Sequence, residues 1–404
     1  MLKVAIIGCG KIADSHLSQI QRIAGCQVVG VCDREPLMAK QLAHRFKIRG
    51  EYSEVGAMLD DCRPDVVHIT TPPGSHFELG QQCLSAGCHL YVEKPFTLNV
   101  DEAKQLIGLA DKVGRKLTVG HDLQFSHAAR RMRQLVKNGY LGGRPVHLES
   151  YYCYDLSEPG YAKALLADKQ HWVRRLPGKL LHNVISHGIA RIAEFISSDS
   201  PGIIAHGFVS PLLRSLNETE IIDELRVIIS EAGGTTAYFT FSSQMRPSLN
   251  QFRIYGATNG IIVDEDHQTV IKCPGSRLKS YAEKFVSPLK LARQQVENVA
   301  ANGWKFLASD FHMKAGMKCL IETFYRSIRG ETPLPISYRE IILTSYLMDN
   351  IFGQISQLTN ASKEGKAGLV EGNGTDASNR GKREHLPLPC QNGMRPNDLQ
   401  PESR

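Results

Sequence analysis

Long apolar runs, blocks of one charge and paired cysteines are all missing from this 404-residue chain. No apolar run approaches the roughly 18 residues that a membrane span needs, so no transmembrane helix is expected. The N-terminal sequence MLKVAIIG has neither a long apolar region nor a small-residue cleavage site, which argues against a secretory signal. The 10 cysteines include no C-x-x-C pair, so we predict a protein without a metal site, in a reducing cytoplasm.

The charge balance is only mildly positive. Lysine and arginine total 48 against 41 acidic residues, a formal net charge of +7, without the basic blocks and interleaved aromatics of a nucleic-acid interface. We therefore expect no nucleic-acid partner, although the excess would help to attract an anionic small molecule. With 42% hydrophobic and 22% charged residues the composition is globular, and the length predicts two domains with extra segments.

Short apolar runs alternate with helical patterns over the first 120 residues. The runs cover residues 2–8, 27–33, 65–70, 89–92 and 116–119. Runs of this length, separated by helices, predict βαβ units and a parallel sheet that is buried on both faces. We therefore predict an α/β fold with an N-terminal doubly wound parallel sheet of the Rossmann type over residues 1–121.

The rhythm of the sequence changes near Arg144. Longer segments with period-two alternation follow, over residues 145–152, 225–229, 235–241 and 251–256. Alternation of this kind, with Gly-Gly and Asn-Gly turns, predicts a mostly antiparallel sheet. The second domain is therefore predicted as α+β, over residues 122–358.

Two helices are predicted to frame these strands, one over Leu180–Ile196 and the other over Tyr338–Leu358. After Thr359 aromatic residues disappear, and glycine, asparagine, serine, proline and charges of both signs dominate. Such a composition cannot bury enough apolar surface to offset the entropy of ordering. Residues 359–404 are therefore predicted to be a disordered tail.

The sequence GCGKIA, which begins at Gly8, joins an apolar strand to a helix. Gly8 permits the tight turn, Gly10 lets the backbone approach a pyrophosphate, and Ala13 lets the helix pack closely on the strand. Phosphates would lie at the N-terminus of this helix, where Lys11 and Ile12 are the first residues. The pattern predicts a dinucleotide site.

A carboxylate follows the second strand at the spacing that such a site requires. Asp33 lies about 20 residues after the glycine motif and would accept hydrogen bonds from the ribose hydroxyls. Its charge would repel a 2′-phosphate, which favours NAD. The neighbouring Arg34 could accommodate that phosphate, so NADP stays possible.

Two further motifs make the pattern specific: TPPGSH, which begins at Thr71, and EKP, which begins at Glu93. Together with the glycine motif they resemble the glucose–fructose oxidoreductase, inositol dehydrogenase and MocA (Gfo/Idh/MocA) family. The resemblance extends over most of the chain before the tail and is strongest in the first 125 residues. It implies that Thr71, Pro72 and His76 on one loop, and Glu93 and Lys94 on the other, border the nicotinamide of the cofactor.

The resemblance also implies a catalytic pair on the first helix of the second domain. Where the family carries D-x-x-x-H, this chain has Asn183 and His187. His187 corresponds to the acid/base histidine and, together with Lys94, would act on the reacting hydroxyl. Asn183 can orient the substrate or the histidine but cannot share a charge. His182 is the less favoured alternative to His187.

Residues upstream of that helix are candidates for substrate contacts. Trp172 and Arg174 stand just before it, and Arg174 or Arg175 could bind a phosphate or carboxylate, although a solvated charge pair is the alternative. Tyr161 and Lys163 belong to a long stretch that could cover the substrate.

The stretch DLQFSH, residues 122–127, stands where the family has an N-x-R-F-x-P-like motif. Its Arg and Pro are replaced here, so Gln124 receives no substrate role. His121 and His127 could touch the substrate, although the favoured interpretation of a loop histidine is a solvated side chain.

A basic, amphipathic insertion over residues 277–307 is not part of the family's minimal pattern. A helix is predicted from an N-cap at Ser287, with Pro288 in its first turn, to Asn302, where Gly303 ends it. Packing on its own domain is the favoured interpretation. A subunit contact comes next, and a peripheral membrane contact is the least favoured.

The predicted function is that of an NAD(P)-dependent oxidoreductase. It would transfer a hydride between the cofactor and a hydroxyl carbon of a sugar, sugar nucleotide or cyclitol, and we expect a homo-oligomer. One alternative is an NAD-dependent glycosidase or lyase that oxidises its substrate transiently. A non-catalytic NAD-binding regulator is the other.

Overall fold

The computed structural model describes residues 1–155, 168–275, 279–312 and 314–371, with side chains described up to residue 357. Residues 1–358 form one compact unit, and residues 359–404 form a second. The first unit contains two β-sheets with separate hydrophobic cores, and helices pack on both of them.

The first sheet is parallel throughout, with the strand order β3-β2-β1-β4-β5-β6. Its central strands are buried on both faces, because helices cover each side; Val4, Ala5 and Ile6 have no exposed surface. The strands are β1 (Leu2–Ile7), β2 (Cys26–Cys32), β3 (Gly50–Tyr52), β4 (Val66–Ile69), β5 (His89–Val92) and β6 (Leu117–Val119).

Helices alternate with these strands along the chain, which confirms the doubly wound parallel sheet predicted from the sequence. The edge strand β3 was not predicted, because a three-residue, half-exposed strand carries no apolar run. The helices are α1 (Lys11–Ile20), α2 (Pro36–Phe46), α3 (Val55–Cys62), α4 (His76–Ser85) and α5 (Val100–Lys112).

The second sheet has the strand order β13-β12-β11-β7-β10-β9-β8. Its neighbours are antiparallel except for β7 and β10, so the predicted mostly antiparallel sheet is confirmed. The strands are β7 (His147–Cys153), β8 (Gly202–Phe208), β9 (Glu224–Ser230), β10 (Thr236–Ser242), β11 (Leu249–Tyr255), β12 (Asn259–Asp264) and β13 (Thr269–Pro274).

The helices that follow β6 contribute side chains to one or both of the two cores or contact the edge of the second sheet. They are α6 (His127–Lys137), α7 (Lys179–Val184), α8 (Ser186–Ala193), α9 (Pro211–Ser215), α10 (Ser280–Leu307), α11 (Ala315–Ile328) and α12 (Tyr338–Glu371). The last helix runs past residue 358, where the sequence predicted the start of a disordered tail. Residues 372–404 of that tail lie outside the described residues.

The helix predicted over Leu180–Ile196 is interrupted in the structure. α7 ends before Ile185 and α8 begins after it, with the Gly188 N–H donating to the Ile185 carbonyl across a single turn. The prediction of one continuous helix is therefore wrong. Asn183 and His187 do not follow each other on one regular helical face.

The predicted bounds of the inserted helix are also wrong. α10 begins at Ser280 and ends at Leu307, so Pro288 and Gly303 lie inside it rather than at its ends. Proline in a helix interior removes one backbone hydrogen bond and costs about 3 kcal/mol. Contacts with the neighbouring strand offset that cost.

Carboxamide side chains of α10 bind the backbone of the edge strand β13. Gln294 accepts from the Lys272 N–H at 2.8 Å and donates to the Lys272 carbonyl at 3.1 Å. Asn298 does the same with Val270, at 3.2 and 3.1 Å. The polar side of α10 therefore faces the sheet.

A similar contact lies at the opposite edge of the sheet. Gln354 of α12 accepts from the Ala205 N–H of β8 at 2.9 Å and donates to the Ile203 carbonyl at 2.9 Å. Both edge strands of the second sheet are thus covered by helices through side-chain amides.

The helix α11 packs with the first sheet, although chain order places it after the second. Leu320, Phe324 and Tyr325 are fully buried in the first hydrophobic core. The first core therefore includes side chains from far outside residues 1–121.

Candidate active site

The glycine turn between β1 and α1 is shaped for a close approach from outside. Gly8 has a φ of +94°, and a Cβ there would lie 2.9 Å from the Thr70 carbonyl carbon. Gly10 is the N-cap of α1 and makes no side-chain cap, and the space where its Cβ would lie is open. The exposed start of α1 can therefore receive a phosphate.

Asp33 lies directly after β2 and contacts this turn. Its Oδ2 accepts from the Cys9 N–H at 2.7 Å, and its Oδ1 accepts from the Glu35 N–H at 3.0 Å. The carboxylate is partly exposed, whereas Arg34 and Lys11 are exposed. The structure thus brings the predicted ribose ligand next to the predicted phosphate turn.

The two loops expected to border the nicotinamide are joined by His76. Its Nε2 lies 2.8 Å from the Thr71 carbonyl oxygen, and its Nδ1 lies 3.0 Å from the Pro95 carbonyl oxygen. The imidazole has no exposed surface, and burial lowers its pKa. His76 therefore holds the loops together, while Thr71 and Pro72 keep exposed surface beside the turn.

Lys94 reaches from the loop after β5 to the end of α7. Its Nζ donates to the Asn183 carbonyl at 3.0 Å, at the end of α7. Burial lowers the pKa of this lysine, while the carboxylates of Glu93 and Asp122 oppose that shift. The Asn183 atom that accepts this hydrogen bond is the backbone carbonyl oxygen.

Glu93 is held by a buried chain of hydrogen-bonded side chains that was not predicted. Its Oε1 lies 2.8 Å from His16 Nε2, the Nδ1 atoms of His16 and His68 lie 2.8 Å apart, and His68 Nε2 lies 2.8 Å from the Tyr325 hydroxyl. The Oε2 of Glu93 accepts from the Lys94 N–H at 3.1 Å. The chain therefore fixes the backbone from which Lys94 extends.

His187 lies at the start of α8 beside an unpredicted carboxylate. Its Nδ1 is 3.9 Å from Asp122 Oδ1, and its ring centroid is 5.9 Å from that of His121. Among the described residues, neither His187 Nδ1 nor His121 Nε2 has a hydrogen-bond partner. Both nitrogens are buried polar atoms that a ligand could satisfy.

The charge state of these groups follows from burial. Burial, and then the Lys94 ammonium, hold the pKa of His187 well below its usual range. Burial lowers the pKa of His121 to about 3. Burial raises the pKa of Asp122, and Lys314 at the start of α11 opposes this shift. His187 is therefore a neutral imidazole near pH 7, as a proton acceptor must be.

Other predicted residues lie in structural contacts. Arg174 is ion-paired with Glu218 at 2.8 Å, and both side chains are about nine-tenths buried (11% and 10% exposed). Its predicted substrate role is therefore not supported, because the guanidinium is already engaged. Trp172 is half-buried and stacks on His171 at 5.7 Å between ring centroids. Tyr161 and Lys163 lie outside the described residues.

His182 contacts Phe352 and Thr97. It stacks on Phe352 with ring centroids 5.1 Å apart, and its Nε2 lies 3.4 Å from the Thr97 carbonyl oxygen. Burial lowers its pKa to about 4. It lines a small cavity between the loop after Lys94 and α12, and His121 lines the same cavity.

Gln124 and His127 are also bound by protein side chains and backbone. Gln124 donates to Glu340 at 2.6 Å, and His127 Nε2 lies 2.8 Å from the Asp310 carbonyl oxygen. In the described part of the chain, no cluster of three or more histidine, cysteine or acidic residues could hold a metal ion.

Comparison with known proteins agrees with the first half of the site. The model of the Gfo/Idh/MocA oxidoreductase family, with an NAD-binding Rossmann fold, matches residues 2–121. D-glucoside 3-dehydrogenase from Escherichia coli is 34% identical over 142 residues, which are 35% of this chain and 40% of that protein. UDP-N-acetylglucosamine 3-dehydrogenase from Acidithiobacillus ferrooxidans is 32% identical over 149 residues, which are 37% of this chain and 44% of that protein. The chain thus matches less than half the length of these curated relatives.

Solved structures extend the likeness to the second sheet. The WlbA dehydrogenase from Bordetella pertussis, solved with NADH and UDP-GlcNAcA, has a TM-score of 0.69 at 16% identity, covering 88% of this chain and 96% of that one. UDP-N-acetylglucosamine 3-dehydrogenase from A. ferrooxidans has a TM-score of 0.65 at 19% identity, with 88% and 97% covered. At these identities the likeness establishes the fold.

Proposed function

We propose that this chain, whose residues 2–121 match the model of the Gfo/Idh/MocA family of NAD-binding oxidoreductases, oxidises a hydroxyl-bearing carbon of a carbohydrate or reduces the corresponding carbonyl. The substrate class is a sugar, sugar nucleotide or cyclitol. The observation that carries the proposal is that Lys94 and Asp122, which follow two strands of the first sheet, meet the α7–α8 segment that carries His187.

The cofactor half of the site fits an NAD-type dinucleotide. When bound, the nicotinamide cofactor supplies or accepts the hydride. Gly8 and Gly10 would hold the pyrophosphate at the start of α1. A side chain at Gly8 would change the turn, and a side chain at Gly10 would occupy the open space beside the start of α1 that the pyrophosphate needs. Asp33 would receive the ribose hydroxyls, and its negative charge would favour NAD over NADP.

The proton would be handled by His187. Its neutral imidazole can take the proton of a substrate hydroxyl while that carbon loses hydride. Asp122, 3.9 Å from Nδ1, would stabilise the imidazolium that forms. Lys94 would direct its ammonium at the same oxygen and stabilise negative charge that develops there.

A substrate panel tests this function directly. We would follow absorbance at 340 nm with NAD or NADP and a series of sugars, sugar nucleotides and inositols. At least one member should change the absorbance, and Lys94→Ala should slow that change about 10²- to 10⁴-fold. If no member does so, the dehydrogenase proposal is wrong. A product that forms with no net change in cofactor would favour the glycosidase or lyase alternative.

A further inference from the structure

The helix α10 exposes its apolar side to solvent. Tyr281, Phe285, Leu289, Val296 and Val299 follow one another at intervals of mostly three or four residues, and each is 65–73% exposed. Intervals of three and four place these side chains on one face of the helix. The expectation that this stripe packs on its own domain is therefore wrong.

The apolar surface continues at the end of the helix. Trp304, Phe306 and Leu307 are 73%, 69% and 78% exposed. Because an aromatic side chain covers roughly 150–250 Å², the eight residues together expose on the order of 1,000 Å² of apolar surface. The largest apolar patch on an ordinary soluble monomer is about 300–600 Å². A surface of this size indicates a partner.

The attachment of α10 fixes the direction of this surface. Gln294 and Asn298 bind β13 through their amides, and Asn298 is 2% exposed. The 28-residue helix is about 42 Å long and lies along the sheet edge with its apolar side away from the body. It can therefore lie flat on a surface without disturbing either core.

The charge around the stripe favours an anionic partner. Over residues 279–307 five basic side chains stand against two acidic ones, Glu283 and Glu297. Burial lowers the pKa of Lys305, and the charges of the nearby Arg131 and Arg130 lower it further. A second copy of the chain would place its basic side chains next to these, and the like charges would repel each other. An anionic surface would neutralise the positive charge instead. The basic residues are Lys279, Lys284, Lys290, Arg293 and Lys305.

We propose that α10 docks this protein on the surface of a membrane that contains anionic lipid, with its apolar stripe inserted between the headgroups. Tyr281 and Trp304 lie near opposite ends of the helix, and both residue types are enriched where protein meets the headgroup layer. No helix in the described part of the chain is long and apolar enough to cross a bilayer.

Vesicle flotation tests the proposal with the full-length protein. Wild type should float with vesicles of phosphatidylglycerol and phosphatidylcholine at least 10-fold more than with phosphatidylcholine alone, and high salt should weaken the binding. The variant Phe285→Ser/Leu289→Ser/Val296→Ser should lose flotation. The control Ile204→Ser/Tyr238→Ser removes exposed apolar side chains from the second sheet and should float like wild type.

The charged residues give a second variant that keeps the stripe. Lys284→Gln/Lys290→Gln/Arg293→Gln leaves every apolar contact of α10 in place, so its fold is not at risk. It should lose the preference for anionic vesicles. This variant decides the proposal if the serine variant does not give a cooperative thermal transition. An unchanged preference for anionic vesicles would contradict the proposal.

Tryptophan fluorescence reports on the helix itself. The chain has two tryptophans, so Trp172→Phe leaves Trp304 as the single reporter. Its emission should shift to the blue with anionic vesicles and should be quenched by lipids with brominated acyl chains.

Sedimentation velocity separates membrane docking from self-association. Wild type that neither floats nor changes its Trp304 emission would overturn the proposal. If, in addition, the serine variant turned an oligomer into a monomer, the stripe would be a subunit interface instead.

Discussion

Lys94 follows β5 of the first sheet and His187 lies in α8, and the Asp122 carboxylate interacts with both side chains. Lys94→Ala and His187→Ala should each lower kcat about 10²- to 10⁴-fold, because each removes a positioned proton-transfer or charge-stabilising group. The affinity for NAD should stay nearly unchanged, since neither side chain would contact phosphate or ribose. Steady-state kinetics and cofactor titration check both expectations.

His182→Ala is the matched control for these variants, because its ring stacks on Phe352 rather than facing Asp122. It should keep turnover within a few-fold of wild type. If His182→Ala abolished turnover while His187→Ala kept it, the acid/base residue would have been misassigned. The Lys94→Ala/His187→Ala double variant should lose less than the combined single losses, as expected for one proton path.

The preference for NAD should depend on the charge of Asp33. Asp33→Asn keeps a side-chain oxygen that can accept from the Cys9 N–H but removes the negative charge, whereas Asp33→Ser also shortens the side chain. Both variants should shift binding toward NADP, measured by fluorescence titration of both reduced cofactors. Tighter binding of NADPH than NADH by the wild type would contradict the assignment.

At the scale of residues, the sequence was informative where a motif is contiguous. Gly8 and Gly10 lie in the turn before α1 and Lys94 lies in the loop after β5, because the turn and the loop follow from adjacent residues. Asp122 and the chain from Glu93 through His16 to Tyr325 could not be predicted. Those contacts join residues that are distant along the chain, and burial rather than a local pattern defines them.

At the scale of secondary-structure elements, the sequence predicted the type of most elements but not the bounds of several helices. The strands of both sheets follow from apolar runs and alternation, yet α10 passes through Pro288 and Gly303, which are local signals for helix ends. Amide contacts with β13 outweigh those local preferences. The interruption at Ile185 has no comparable signal in the sequence, because no proline or glycine occupies that position.

Removal of the C-terminal segment tests the extent of the folded body. Residues 359–404 form a unit of their own, so a chain that ends at Leu358 should keep its free energy of unfolding and its affinity for NAD. Urea denaturation and cofactor titration provide the measurements. A loss of more than about 1 kcal/mol would mean that the segment stabilises the body.

The molecule as a whole should lose stability in mild acid. Burial lowers the pKa of His121 to about 3 and that of His182 to about 4, so both stay neutral in the folded state. Below about pH 6.5 the unfolded chain takes up protons that the folded protein does not. Each histidine therefore lowers the free energy of unfolding as the pH falls below 6.5, by up to about 2 kcal/mol between pH 6.5 and pH 5.

Urea denaturation at pH 7 and pH 5 measures this loss. In His182→Phe the difference between the two pH values should shrink by up to about 2 kcal/mol, while the ring can still stack on Phe352. The exposed His44→Phe serves as the control and should keep the wild-type difference. An equal difference in wild type and His182→Phe would show that His182 does not stay neutral in the folded protein.

The amide contacts along β13 and β8 also determine how copies of this protein behave at high concentration. A bare edge strand offers unpaired N–H and C=O groups, and another chain can add to it as a further strand. Here Gln294 and Asn298 close one edge and Gln354 contributes to closing the other, because a carboxamide donates and accepts as a peptide group does. Cleavage that frees α10 would open a template for fibril growth, so resistance to aggregation depends on the helix that carries the apolar stripe.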